Sequence, residues 1–147
     1  MPRRRPTTAA DVAAYILKQT KPITHMKLQK LLYYSQAWSL VWDERPLFRH
    51  RIEAWVNGPV VRSVYQELRT EYLIRSIPSG SAKNLTSEQR DTVDVVLDHY
   101  GNKSPQWLSD LTHMEDPWHD ARANLAPHER GTAEITHAAM AEYYGGL

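Results

Sequence analysis

The chain is 147 residues long, the size of one domain, and a domain of that size buries roughly two-thirds of the surface its unfolded chain exposes, so one core suffices. Hydrophobic residues make up 41% and charged residues 24%, which excludes whole-chain disorder. Lys plus Arg number 18 against 17 Asp plus Glu, and there is no cysteine; this excludes a one-signed field that would draw the whole molecule to nucleic acid or an anionic membrane, and it excludes disulfides, thiolate zinc sites and iron–sulfur ligation.

Met1 to Thr8 reads as a disordered basic arm, with Arg3, Arg4 and Arg5 between two prolines. Met1 to Ala14 lacks the apolar run of a signal peptide, and no stretch approaches the roughly 18 apolar residues that span a bilayer, so a cytoplasmic protein is expected. Residues 9–147 are expected to form one helical domain.

Thr8 and Asp11 form an acidic capping box, and Val12, Tyr15, Ile16 and Gln19 follow at helical spacing, which predicts a first helix over Ala9 to Gln19 that stops before Pro22. Thr24 caps the longest helix, whose stripe is Leu28, Leu31, Leu32, Ser35, Trp38, Ser39 and Trp42. Tyr33, Tyr34, Ala37, Leu40 and Val41 widen that stripe until neighbours must cover it on several sides, and only the first turns, with His25, Lys27, Gln29 and Lys30, read as wet.

Ile52, Ala54 and Val56 alternate with Glu53, Trp55 and Asn57, predicting a short extended segment that turns at Gly58-Pro59. Pro59 suits the first position of a third helix whose buried face is Val60, Val61, Val64, Tyr65 and Leu68. Pro78 to Asn84 reads as a mobile loop. Thr86 and Gln89 open a helix that ends at Gly101, Ser104-Pro105 begins another, Asp116-Pro117 a short one, and Thr136 to Tyr144 a closing one. The fold class is therefore mainly α: a compact single-domain bundle of five to seven helices with at most one short β ribbon.

Met26-Lys-Leu-Gln-Lys-Leu-Leu-Tyr-Tyr-Ser-Gln-Ala-Trp38, then Ile52-Glu-Ala-Trp55, then Gly58-Pro-Val-Val-Arg-Ser-Val-Tyr65, and finally Thr112-His-Met-Glu-Asp-Pro-Trp118 stand in this order along the chain. Together they resemble the signature of the Panacea domain, over roughly Ala10 to Arg122, and four ordered blocks are far more specific than one short motif. The resemblance implies a bacterial antitoxin, often phage-associated, that neutralises a toxin encoded beside it by direct protein contact. It also implies a second mechanism, in which the antitoxin presents its toxin to a protease complex. A chain of this length is read as leaving no room for an appended DNA-binding domain, which puts autorepression in doubt.

His113, Glu115, Asp116, His119 and Asp120 are the densest set of possible metal ligands or acid–base groups. The histidines are six apart and Pro117 interrupts the segment, so they do not share a helix face as an i, i+4 pair would. The preferred reading is a satisfied His113 and an acidic cap for the helix at Pro117, with no metal and no cofactor. A zinc deaminase would need cysteines that are absent, and no phosphate loop or nucleophile elbow is present.

Tyr33, Trp38, Val64 and Tyr65 read as core, whereas Trp55 and Trp118, at element ends, stay open between packing and anchoring a partner. Gly58-Pro59 reads as a turn and helix start; its alternative is that free N–H groups and Arg62 hold an anionic side chain of the partner. The partner-binding candidates are the exposed start of helix two (Lys27, Lys30 and Tyr34), Glu53, Trp55 and Arg62 near the turn, and His113 and Trp118. The alternative function is a small DNA-binding regulator that uses the basic arm and helix two. A helix so apolar past Gln36, in a charge-neutral chain, argues against it.

Overall fold

The first helix, α1 (Ala9–Gln19), starts as its capping box requires: the Thr8 hydroxyl accepts from the Asp11 N–H, and the Asp11 carboxylate accepts from the Thr8 N–H. The computed structural model describes residues 5–147. Asp11 also accepts from both terminal nitrogens of Arg5 at 2.9 Å, from Asn84 Nδ2 at 2.8 Å and from the Ser81 N–H at 2.8 Å. The segment read as a mobile loop is thus docked on α1, where Gly80 has no room for a Cβ against the Ala10 carbonyl. Of the basic arm, residues 1–4 lie outside the described residues. Arg5 pairs with Asp11, and Thr7 is buried with its hydroxyl 3.0 Å from Gln89 Oε1.

Helix α2 (His25–Trp42), capped by Thr24, is the axis of the molecule. Every residue from Leu28 to Ala37 is buried, because α1, α4 (Ser87–Tyr100), α5 (Pro105–Met114), α7 (His137–Gly145) and a small sheet all pack on it. The expected wet first turns are therefore corrected: Gln29 and Lys30 are among its most buried residues. With α3 (Arg62–Leu68) and α6 (Asp116–Arg122) the α-helices among the described residues number seven, and the mainly α reading holds.

The expected ribbon is the hairpin of β2 (Ile52–Trp55) and β3 (Gly58–Val61), and β5 (Glu134–Ile135) extends it to an antiparallel sheet of order β3-β2-β5. A second pair joins β1 (Ile23–Thr24) to β4 (Leu73–Ile74). Pro59 does not open a helix as expected; it lies in β3 opposite Ala54, and α3 begins at Arg62. The Ala54 N–H donates to the Ala133 carbonyl on the far side of β2, so the backbone of Pro59 points away from β2. A residue without an N–H is tolerated on such an outer edge.

That edge is closed by side chains of α2. Gln29 Oε1 accepts from the Val61 N–H at 2.9 Å and its Nε2 donates to the Val61 carbonyl at 3.4 Å, while Lys30 Nζ donates to the Pro59 carbonyl at 3.2 Å. An amide and an ammonium stand where a further strand would be. Gln36 acts in the same way on the following loop, accepting from the Leu47 N–H and donating to the Phe48 carbonyl, both at 2.8 Å.

Behind the sheet, Tyr33, Tyr34, Tyr100 and Tyr144 meet around Glu115. The Tyr34 ring stacks on Tyr100 at 4.2 Å, and the Tyr34 and Tyr144 hydroxyls donate to Glu115 Oε1 at 2.6 and 2.8 Å. Burial pushes the Glu115 carboxyl up from its ordinary range, and the two hydroxyls hold it back. Glu115 precedes α6, yet its side chain makes no cap bond there, because the tyrosine hydroxyls take it inward; the expected acidic cap is corrected on this point.

Burial alone would raise the Asp11 carboxyl, but the hydrogen bonds from Arg5, Asn84, Thr8 and Ser81 bring it well below the ordinary carboxylate range. Its contribution is present above the unfolded-state value near 3.8 and is lost as pH falls through the folded-state value. Asp11→Ala is expected to lower stability by about 3 kcal/mol at neutral pH. Urea unfolding at a series of pH values should show the difference shrinking below about pH 4.

Candidate functional site

The hairpin turn places Trp55, Val56 and Asn57 at the molecular surface, beside the first turns of α2 and the start of α3. Between them lies an open groove of about 560 Å³. Gln29, Lys30 and Val60 form its buried base, and Trp55, Arg62, Tyr65, Arg130 and Thr132 its more exposed wall.

Glu53 organises one side. It is 4% exposed and accepts from Arg62 Nη2 at 2.7 Å, Arg62 Nε at 3.2 Å and Trp55 Nε1 at 2.8 Å, with Arg51 Nε at 3.3 Å. Burial would raise this carboxyl, but Arg62, Trp55 and Arg51 bring it below its ordinary range. The Arg62 guanidinium lies 5.5 Å from the centroid of the Trp55 ring, and the Tyr65 ring meets Trp55 edge-on at 4.8 Å and stacks on His25 at 5.5 Å. Tyr65, expected in the core, is 37% exposed. The correction follows from the late start of α3, which rotates Tyr65 outward while Val64 and Leu68 point in.

Lys30 carries the unusual electrostatics. It is 1% exposed, its ammonium reaches the Pro59 carbonyl, and among the described residues no carboxylate lies within ion-pair distance. Burial pushes its amine down to about 7. Gly58 makes room for it: at φ +119° a Cβ there would sit 2.5 Å from Lys30 Cε, so any other residue would be strained and would collide.

On the other face of the turn, Trp118 is 7% exposed and donates from Nε1 to the Trp55 carbonyl at 2.7 Å. The His113 ring stacks on Trp118 at 4.0 Å, and burial lowers its imidazole. The His113 ring has a backbone hydrogen bond with Val56, but its Nε2 has no partner among the described residues, so the satisfied histidine expected from the sequence is corrected in part. No group of three or more His, Asp or Glu side chains among the described residues is placed to hold a metal ion.

The structure therefore brings Lys30, Glu53, Trp55, Arg62, His113 and Trp118 to the two sides of one hairpin. Two further candidates lie apart from it. Lys27 is partly buried and donates from Nζ to the Gly101 carbonyl at 2.6 Å, closing the end of α4. Tyr34 is wholly buried against Tyr100 and Glu115. The exposed character expected of Lys30 and Tyr34 is thus overturned, since hairpin and helices cover α2 from its second turn.

Sequence reasoning missed Arg130 and Thr132, which stood in a featureless polar stretch. The buried Arg122 places that stretch by donating to the carbonyls of Ala54, Ala126 and Glu129, and no local pattern announces such a clamp. The groove lining contains Lys30, Arg62, Arg130 and His25 and no Asp or Glu. A second hollow, between α6, β5 and α7, is lined by Asp116, Asp120, Glu134 and Glu142 and no Lys or Arg.

The family model described as "Antitoxin SocA-like, Panacea domain" matches residues 28–119, from the second turn of α2 to α6. No curated protein and no solved structure matches the chain. No helix among the described residues is long and apolar enough to cross a membrane.

With its amine near 7 in the fold and 10.5 as the ordinary value, Lys30 holds a proton in the unfolded chain that the folded protein releases between these limits. The unfolded state binds more protons there, so this group makes stability rise with pH, by at most about 1.4 kcal/mol per pH unit. Lys30→Met is expected to raise stability at pH 7 by about 1–3 kcal/mol. Urea unfolding should show the wild type closing the gap as pH climbs from about 7 to 10.

Proposed function

The chain belongs to the SocA-like antitoxin family by its Panacea domain, and on that premise we propose that it neutralises a cognate toxin by direct binding at the groove beside the β2–β3 hairpin. It works in the cytoplasm as a binding protein rather than as a catalyst. One observation carries the placement: the blocks that bear the family resemblance, scattered along the sequence, meet in space at this hairpin. Gln29 and Lys30 of the first block hold Val61 and Pro59 of the third. Glu53 of the second holds Arg62 of the third, and Trp118 of the fourth donates to Trp55 of the second.

Much of that convergence is scaffold. Its solvent-facing product is the rigid set Trp55, Arg62 and Tyr65, residue types that dominate the energetics of protein interfaces. A stable complex needs roughly 800 Å² from each partner, about a tenth of the 8340 Å² this chain exposes. DNA binding through α2 is disfavoured, because a recognition helix needs a face free to enter the major groove and α2 is covered on all sides from Leu28 to Ala37.

The test is co-expression with the adjacent open reading frame. That neighbour alone should arrest growth, and this chain should restore it. Trp55→Ala and Tyr65→Ala are expected to keep the wild-type unfolding temperature within a few degrees, to weaken the complex by about 2 kcal/mol each, roughly thirtyfold, and to lose rescue. A harmless neighbour, or rescue by both variants at wild-type level, would sink the reading. The toxin level in rescued cells separates sequestration, in which the toxin persists, from delivery to a protease, in which it falls.

A further inference from the structure

We propose that the groove takes an acidic segment of the toxin, seating one carboxylate at Lys30 Nζ and an adjacent aromatic or apolar side chain against Trp55 and Tyr65. This rests on the antitoxin reading and adds to it the chemistry of the segment recognised.

An ammonium has three N–H donors. Lys30 Nζ uses one, on the Pro59 carbonyl, and Lys30 is among the residues that line a groove open to the surface. A buried cation with an incomplete shell gains most from an anion delivered to it, because low-dielectric walls weaken the competition from water. Gly58 leaves the Lys30 side chain the space to lie there.

The surroundings push the same way. Arg62 on α3 and Arg130 in the loop before β5 line the groove as cations, while burial and the nearby Lys30 hold the imidazoles of His25 in the groove and His113 across the turn below their ordinary range, so neither adds negative charge there. Glu53, the nearby carboxylate of β2, is already held by Arg62, Arg51 and Trp55. A one-signed concave surface concentrates the opposite charge. Met26, Val56, Val60, Trp55 and Tyr65 supply apolar and aromatic wall on which a neighbouring side chain can be buried.

A nucleic-acid phosphate fits less well. The guanidinium fork of Arg62, which would grip a phosphate in bidentate fashion, is engaged by Glu53. The remaining deep cation is a single one at the base of a short groove, which suits one carboxylate rather than a row of backbone charges.

A carboxylate at Lys30 would return its amine toward the ordinary range, so binding takes up a proton at alkaline pH. The probe is a random heptapeptide display library selected on the wild type and on Lys30→Met. The wild type is expected to enrich peptides with Asp or Glu next to an aromatic residue, and Lys30→Met to lose that enrichment while remaining folded in thermal unfolding. Replacing the acidic residue of the best peptide by its amide should weaken binding at least about tenfold, as should Arg130→Glu, an exposed site whose change leaves the fold intact. Calorimetry in two buffers near pH 8.5 should show uptake of close to one proton, absent in Lys30→Met.

Recovery of no peptides, enrichment without acidic residues, the same sequences on Lys30→Met, or no proton uptake would each overturn the proposal. So would displacement of the best peptide by an oligothymidylate of about ten nucleotides, which would assign the groove to nucleic acid. Growth rescue by the wild type alongside any of these results leaves the antitoxin reading standing and removes this one; absence of rescue removes the antitoxin reading itself.

Discussion

A β-strand with an open edge must have that edge covered, paired or wetted, and here the edge of β3 faces the central helix. Gln29 and Lys30 solve the problem by taking the place of a missing strand. The position of everything around them follows. The hairpin is pinned flat against α2, Pro59 is accepted because its missing N–H would have pointed at a helix, and Gly58 is required because Lys30 passes beneath it. The groove exists because a helix, a hairpin and α3 meet at a junction that side chains bridge but do not fill.

The same device recurs elsewhere. Asp11 ties the loop before α4 to α1, Gln36 ties the loop after α2 to its own helix, and Arg122 ties the stretch before β5 to β2. Each is a buried polar side chain with at least one hydrogen bond to a backbone group that would otherwise be orphaned. Long connections are thereby held as firmly as the helices, and the Arg122 clamp is what carries Arg130 and Thr132 to the groove. The Glu115 cluster works on side chains instead: three elements, α2, the start of α6 and α7, meet through two tyrosine hydroxyls on one carboxylate.

A near-neutral total charge conceals a strongly uneven distribution. The groove by the hairpin is lined by cations and the hollow between α6 and α7 by carboxylates. In general, surfaces of opposite sign on one small domain favour charged molecules that are themselves polarised. The sum of the charges gave no hint of this separation, because the two sets of residues cancel in the total.

Local chemistry made the helices legible. The capping boxes at Thr8 and Thr86, the caps at Thr24, Ser104 and Thr136, and the proline at the start of α5 set element ends through contacts within a few residues, so one sequence window held all the information. The family was legible for a related reason, since the blocks keep their order along the chain. The start of α3 was not, because Pro59 suits a helix start and an outer strand edge equally well, and the choice depends on Ala54 and Gln29, which lie elsewhere in the chain. Lys30 reads as a surface residue in its own window; only the packing of the hairpin over α2 makes it a buried cation. What the sequence alone determined was therefore the set of helices and the family. Which of its charged and aromatic residues reach the surface was decided by tertiary structure, because exposure is a property of what packs on a residue and not of the residue itself.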